Sequence, residues 1–435
     1  MNVAMRKWNE LTDDERRRIL DRSEEDIGSV TEETRQLVEE VRVQGDAALA
    51  RTAREFDRAD VHPDRLAVSD EEFEQAYEKL SPEMIETLRH VIENCMRYHR
   101  PQKITDMRMN EIRPGVLAGE KTTPIDSVGL YVPRGRGSFP SMLYMLAVPA
   151  VIAGVPRVAV ATPALEDGSV DPACLVASSI CGITEVYRVG GPAIIAAFAY
   201  GTESIATVEK VVGPGSARVT AAKRIVADRI DTGSPAGPTE SMILADGGAD
   251  PWKVALDLCI EAEHGLDSQA LLVTPSRPLA EAVAEIVPEI VAALPEPRRG
   301  FVEAVLGNYG GILLCENLAE AVEIANLIAS EHLQIQTADP WATASGIRNA
   351  GEILIGENIP FSMANYATGA NAVLPTGGWA HTYSPVSVLD FVKRSSVIHV
   401  TSEGYETLAE HTARMAEYES FAAHAAGIRM RKRSM

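Results

Sequence analysis

Aromatic residues make up only 5% of this 435-residue chain, and cysteine is rarer still. Cys95, Cys174, Cys181, Cys259 and Cys315 are odd in number, well separated and free of any C-x-x-C pair. That spacing excludes a disulfide framework and a thiolate zinc site, leaving the expectation of buried thiols in a reducing cytoplasm. No uninterrupted apolar run reaches the roughly eighteen residues of a membrane span. Positive charge is also short: 41 basic residues against 62 acidic give a net charge of -21, which repels phosphate backbones and argues against nucleic-acid binding. The N-terminus carries Asp13 and Asp14 and no apolar leader core, which argues against a cleaved signal. What the chain does contain is 46% hydrophobic residues with 32 glycines and 25 prolines dispersed along it. This is material for several cores in a soluble small-molecule enzyme, at about 150 residues per domain-sized unit. The terminal basic cluster of Arg429, Arg431, Lys432 and Arg433 reads as the cationic end of a helix.

The first hundred residues read as helical, because Thr12 with Glu15, Ser69 with Glu72, and Ser81 before Pro82 are helix-start signals. From Ser127 the pattern becomes α/β, with strands at Val128–Val132, Val158–Ala161, Val186–Val189 and Val211–Val212 alternating with Ala-rich helices. A second set begins near Met242 and continues at Leu271–Val273, Ile312–Leu314, Leu333–Thr337 and Ile353–Ile355. The expected architecture is therefore two α/β lobes with mainly parallel sheets. Their boundary falls in the Gly/Pro-rich segment 232–238, and a long helix of about 403–431 ends the chain. The division is 1–128 as a helical region completing the first lobe, 129–238 as that lobe, 239–382 as the second lobe, and 383–435 as a tail.

Three groups of residues carry chemistry. Glu261 and His264 end an apolar helix at i, i+3 spacing, which puts both on one face as a metal-compatible pair. Glu331 and His332 stand at a helix-to-strand junction, where a short loop would expose an acid and a base. His424 lies among small alanines in the last helix, which leaves its ring room to reach outward. Two loops suit anions: Gly213-Pro-Gly-Ser216, and Tyr131 to Gly137 with Arg134 and Arg136. Neither has the full dinucleotide fingerprint, and each group also has an ordinary structural reading, as a solvated pair or a turn.

Taken together, Val128-Gly-Leu-Tyr-Val-Pro133, Gly201-Thr-Glu-Ser-Ile205, Gly213-Pro-Gly215 and Ser234-Pro-Ala-Gly-Pro-Thr-Glu240 resemble segments of the histidinol dehydrogenase family. So do Ala262-Glu-His-Gly265 with Asp267-Ser-Gln269, Glu331-His-Leu333, Tyr366-Ala-Thr-Gly369 with Asn371, and Val373-Leu-Pro-Thr376. The likeness runs in order from about Thr31 to the C-terminus. It implies two Rossmann-like domains with parallel sheets, and a homodimer whose extended C-terminal tail enters the partner's site. It also implies a zinc-dependent oxidation of an amino alcohol to the acid with two NAD, in which Glu331 activates water and His332 is the general base.

Carried over residue by residue, the resemblance keeps some positions and alters others. His264 and His424 match two zinc ligands; Glu261 replaces the family's Gln and Asn365 its Asp, so net ligand charge is preserved. Glu419 matches the contact to the substrate's polar end, while Thr239 stands for a serine and Ala372 for a histidine. Tyr131 matches at the cofactor, but Ala193 and Ser216 replace a Gln and an Asn. Loss of a hydrogen-bonding imidazole at Ala372 points to a different small polar alcohol. The arginines at 134 and 136 suit an acidic substrate or the 2′-phosphate of NADP. The reading is an NAD(P)-dependent, zinc-dependent alcohol dehydrogenase; the alternatives are a genuine histidinol dehydrogenase and a non-catalytic metabolite-binding relative.

Overall fold

The computed structural model describes residues 3–21, 27–104, 107–134, 137–308 and 310–431. Its strands in chain order are β1 (Met5–Lys7), β2 (Arg108–Arg113), β3 (Val116–Pro124), β4 (Ser127–Tyr131), β5 (Arg157–Ala161), β6 (Val186–Tyr187) and β7 (Lys210–Val212). Then come β8 (Glu240–Ala245), β9 (Gln269–Thr274), β10 (Gly311–Leu314), β11 (His332–Gln336), β12 (Glu352–Ile355) and β13 (Val392–Val400). The chain divides into two compact units, Met1–Gln102 with Asp126–Phe391, and Lys103–Ile125 with Val392–Met435.

The larger unit holds two parallel sheets, one four-stranded in the order β6-β5-β4-β7 and one six-stranded in the order β1-β10-β9-β8-β11-β12. Numbered within each set, the first runs 3-2-1-4 and the second, after its edge strand β1, runs 3-2-1-4-5. Both are Rossmann-like orders with a switch point beside the first strand. The apolar runs of β8, β9, β10 and β11 are buried throughout, because helices cover both faces. Ile243, Leu272 and Ile312 pack on one side with the helices Pro251–Ile260 and Arg277–Ala292. Met242, Leu244, Leu271, Val273, Leu313 and Leu333 pack on the other with the helix Leu318–Ile328. Alternation of side chains along each strand thus feeds two cores from one sheet.

Several expectations need correction. Residues 1–128 are not wholly helical. Met5–Lys7 pairs with β10 as the edge of the second sheet, and β2 and β3 form an antiparallel sheet with β13. The short edge strand lacks the length that periodicity needs to show itself. The long terminal helix is two, Ser402–Tyr418 and Ala422–Arg429, interrupted where Ser420 takes a φ of +65°. The caps at Thr12, Ser69 and Ser81 form as expected. Arg429 pairs with Glu417 at 2.7 Å across the two terminal helices, while Lys432 and Arg433 lie outside the described residues. All five cysteines are free thiols, four buried and Cys315 half-buried. Among the described residues no helix is long and apolar enough to cross a membrane.

Candidate active site

At the first sheet's switch point, β4 ends in Tyr131 and β7 runs into the Gly213 loop. Gly213 has a φ of +135°, and a Cβ there would stand 2.0 Å from the Tyr131 carbonyl oxygen, so only glycine lets the loop leave the sheet. The Tyr131 hydroxyl accepts a hydrogen bond from Gly191 N–H at 3.2 Å, at the N-terminus of the helix Gly191–Tyr200. Ser216 is exposed at the start of the helix Ala217–Val226, whose Lys223 donates back to the Gly213 carbonyl at 2.6 Å. Burial lowers the Lys223 ammonium to about 8. Ala193 is fully buried in the apolar core, so its side chain faces away from solvent. Arg134 donates to the Ala164 carbonyl at 2.9 Å, and Arg136 lies outside the described residues.

The acid and base are not on an exposed loop. His332 begins β11, and Glu331 and His332 are only 7% and 3% exposed, because β11 is flanked by β8 and β12. Glu331 Oε2 accepts from the Glu240 backbone N–H at 3.0 Å and lies 3.7 Å from His332 Nε2. Burial pushes the Glu331 carboxyl well up. For His332 burial acts downward, but Glu331, Glu261 and Glu352 outweigh it and raise the imidazole. The pair sits at the amino end of its sheet, the end opposite to the usual ligand crevice of open α/β folds.

Glu261 and His264 occupy a 3-10 turn after the helix Pro251–Ile260, where i and i+3 eclipse, and Glu261 Oε2 lies 3.0 Å from His264 Nδ1. That nitrogen is also 3.1 Å from the Thr239 hydroxyl. Asn365, in the helix Phe361–Tyr366, donates from Nδ2 to Glu261 Oε1 at 2.7 Å. Burial would raise the Glu261 carboxyl, yet His264, His332 and Asn365 hold it near 2. Thus Thr239, Glu261, His264 and Asn365 come together. Ala372 lies half-buried between Asn371 and Val373. Glu419 and His424 belong to the smaller unit, where both are exposed and the His424 ring lies 5.2 Å from that of Phe421.

Two side chains escaped the sequence reading. Glu240 accepts from Gly377 N–H at 2.6 Å while its own N–H holds Glu331; it lies inside a quoted motif but had no role. Glu352 Oε1 lies 2.6 Å from His332 Nδ1, and only sheet pairing brings the two together.

Among the described residues no three His, Cys, Asp or Glu side chains gather as a metal cluster. Asn365 is outside those residue types, and His424 is in the other unit. Yet Asn365 Oδ1 is a buried acceptor without a hydrogen-bond donor, and Glu261 Oε2 faces the His264 imidazole at 3.0 Å. Two acceptors beside a ring nitrogen suit a cation with mixed O and N ligands.

Parallel sheets in Rossmann order, a glycine loop at one switch point and a buried carboxylate–imidazole pair define the α/β class of this protein. The histidinol dehydrogenase family model matches residues 20–432. Histidinol dehydrogenase of Synechocystis is 46% identical over 426 residues, covering 98% of each chain. A histidinol dehydrogenase homolog 2 of Mesorhizobium japonicum is 47% identical, covering 97% of this chain and 96% of that one. The crystal structure of histidinol dehydrogenase from Elizabethkingia anophelis superposes with a TM-score of 0.92 at 30% identity, covering 100% and 98% of the two chains. The chain belongs to the histidinol dehydrogenase family, and is an NAD-dependent dehydrogenase acting on a CH–OH group. The family uses zinc and is homodimeric.

Proposed function

We propose that this enzyme oxidises a small polar alcohol other than, or in addition to, histidinol, and carries it through the aldehyde to the acid. The observation that carries the reading is the buried Glu331–His332 pair beside the Glu261, His264 and Asn365 donor set. In this reading His332 takes the proton of the substrate hydroxyl. Glu331, raised by burial and anchored on the Glu240 N–H, takes a proton from water when the aldehyde is hydrated. Glu261, His264 and Asn365, with His424 from the partner's tail, would hold zinc, which supplies Lewis-acid polarisation of the substrate oxygen when bound, and Glu419 of the same tail would contact the substrate's polar end. Tyr131 and the loop at Ser216 would seat NAD, or NADP, which accepts hydride. The exchange of a ring for a methyl at Ala372, with Thr239 beside His264, supports a substrate that lacks the imidazole of histidinol.

Purified protein assayed for NADH and NADPH formation with L-histidinol and a panel of small polar alcohols tests this. A panel alcohol with a higher kcat/KM than L-histidinol is the expected result; L-histidinol ahead of all others overturns the substrate assignment. That second reading, a histidinol dehydrogenase proper, is favoured by the 46% identity to the Synechocystis enzyme of that name.

A further inference from the structure

We infer that Glu352 is a positioning residue for His332, its carboxylate accepting from the ring's Nδ1–H and aiming Nε2 at the reacting site. This deepens the reading of His332 as the base and rests on it. The contact begins in strand register. β12 lies parallel to β11 with His332 opposite Glu352, and Gly351 N–H and Glu352 N–H donate to the carbonyls of Ser330 and Glu331, each at 2.9 Å. Gly351 makes this close start of the strand possible, since a Cβ there would lie 2.4 Å from the Glu331 carbonyl oxygen. The two side chains therefore leave neighbouring strands on one face, with Glu352 Oε1 2.6 Å from Nδ1. Both side chains are at least nine-tenths buried, at 4% and 9% exposed.

An imidazole has two nitrogens, and the bond made by one fixes what the other can do. With Nδ1 committed as a donor to Glu352, Nε2 is the nitrogen left to exchange a proton, and it is the one 3.7 Å from Glu331 Oε2. The ring is also steadied edge-on by Phe361, at 5.9 Å between centroids and 70° between planes. Carboxylate, imidazole and reacting group in line is the arrangement by which a buried acid sets the tautomer of a catalytic histidine without itself touching substrate. A carboxylate placed only for stability would not require its partner's far nitrogen to face the acid of the same site.

The test is proton NMR of the full-length protein labelled with 15N-histidine. We expect one far-downfield N–H proton attached to His332 Nδ1, the mark of a short charge-assisted hydrogen bond. It should vanish in His332→Asn, which assigns it among the nine histidines. It should move back toward the ordinary imidazole range in Glu352→Gln and be lost in Glu352→Ala. If Glu352→Ala fails to fold, Glu352→Gln, which keeps the volume, decides. Absence of the resonance in the unmodified protein, or its persistence unchanged in the Glu352 variants, overturns the inference. Full dehydrogenase turnover by His332→Asn would instead overturn the reading of His332 as base while leaving the bond intact.

Discussion

Asn365 Nδ2 donates to Glu261 Oε1 across 2.7 Å, so an amide and a carboxylate from segments 104 residues apart share one buried contact. The resemblance implies the amide and the acid at the opposite positions in the family, and the contact gives a physical reason for a paired change. One acid facing one amide can hydrogen-bond; two acids repel, and two amides remove the charge that faces His264.

Exchange of the two residues should therefore behave as a coupled pair. By elemental analysis we expect about one zinc per chain in the unmodified protein and in Glu261→Gln/Asn365→Asp, a tetrahedral site being filled in both. Glu261→Ala and His424→Ala should lose it. Asn365→Asp alone should melt several degrees lower without metal and recover when zinc is added, because the second carboxylate then has a cation to face. Zinc-free protein after zinc is supplied would refute the metal assignment.

The acid and base should separate by step. His332→Asn is expected to lower kcat for alcohol oxidation by about 100- to 10,000-fold, the usual weight of general-base catalysis. Glu331→Gln should spare that step more than the aldehyde step, so the yield falls from about two NADH per alcohol toward about one. Equal loss in both steps would argue against a water-activating role for Glu331.

Acid stability should depend on Arg188. It is nearly fully buried, donates from Nη1 to Glu72 Oε1 at 2.8 Å and from Nη2 to Oε2, and also reaches the Gly168 and Ala67 carbonyls at 3.0 Å. Burial acts to raise the Glu72 carboxyl, but Arg188 and the Ser69 N–H outweigh it and hold it below the ordinary glutamate value. A carboxyl lowered by folding stabilises the native state above its unfolded value near 4.5, and that stability is lost as pH falls through the lower native value. Arg188→Met should cost about 3 kcal/mol in urea denaturation at pH 7. The cost should shrink below pH of about 4, where Glu72 is protonated in the unfolded chain. An equal cost at both pH values would exclude the ion pair as the cause.

A chain ending at Val400 should keep both parallel sheets, measured by circular dichroism, and lose turnover. Glu419 and His424 are exposed in their own unit, as expected of groups that complete a partner's site. Turnover retained by the shortened chain would show that they do not.

Most strands were legible because a sheet covered on both faces writes itself as short continuous apolar runs, and nine of them fell within a residue or two of their places. The pairing of Glu261 with His264 was legible from their i, i+3 spacing, although they lie in a 3-10 turn after the apolar helix rather than at its end. β1 was not, since Met5–Lys7, two half-buried residues and an exposed one, carry no pattern until β10 lies beside them. The burial of Glu331 and His332 was missed for a related reason: a Glu-His dipeptide looks like a loop unless the strands on either side are known.

The sequence by itself determined the α/β class and the family, and it singled out Glu331, His332, Glu261, His264 and Asn365 as candidates. These are local or residue-by-residue properties. Only the tertiary structure decided that Glu331 and His332 stand at the amino end of their sheet, that Asn365 Oδ1 is buried without a donor beside Glu261, and that Glu352 meets His332. Such relationships arise where parallel strands from distant parts of the chain are brought into register, and hydrogen bonds between strands leave no mark in the order of residues along either one.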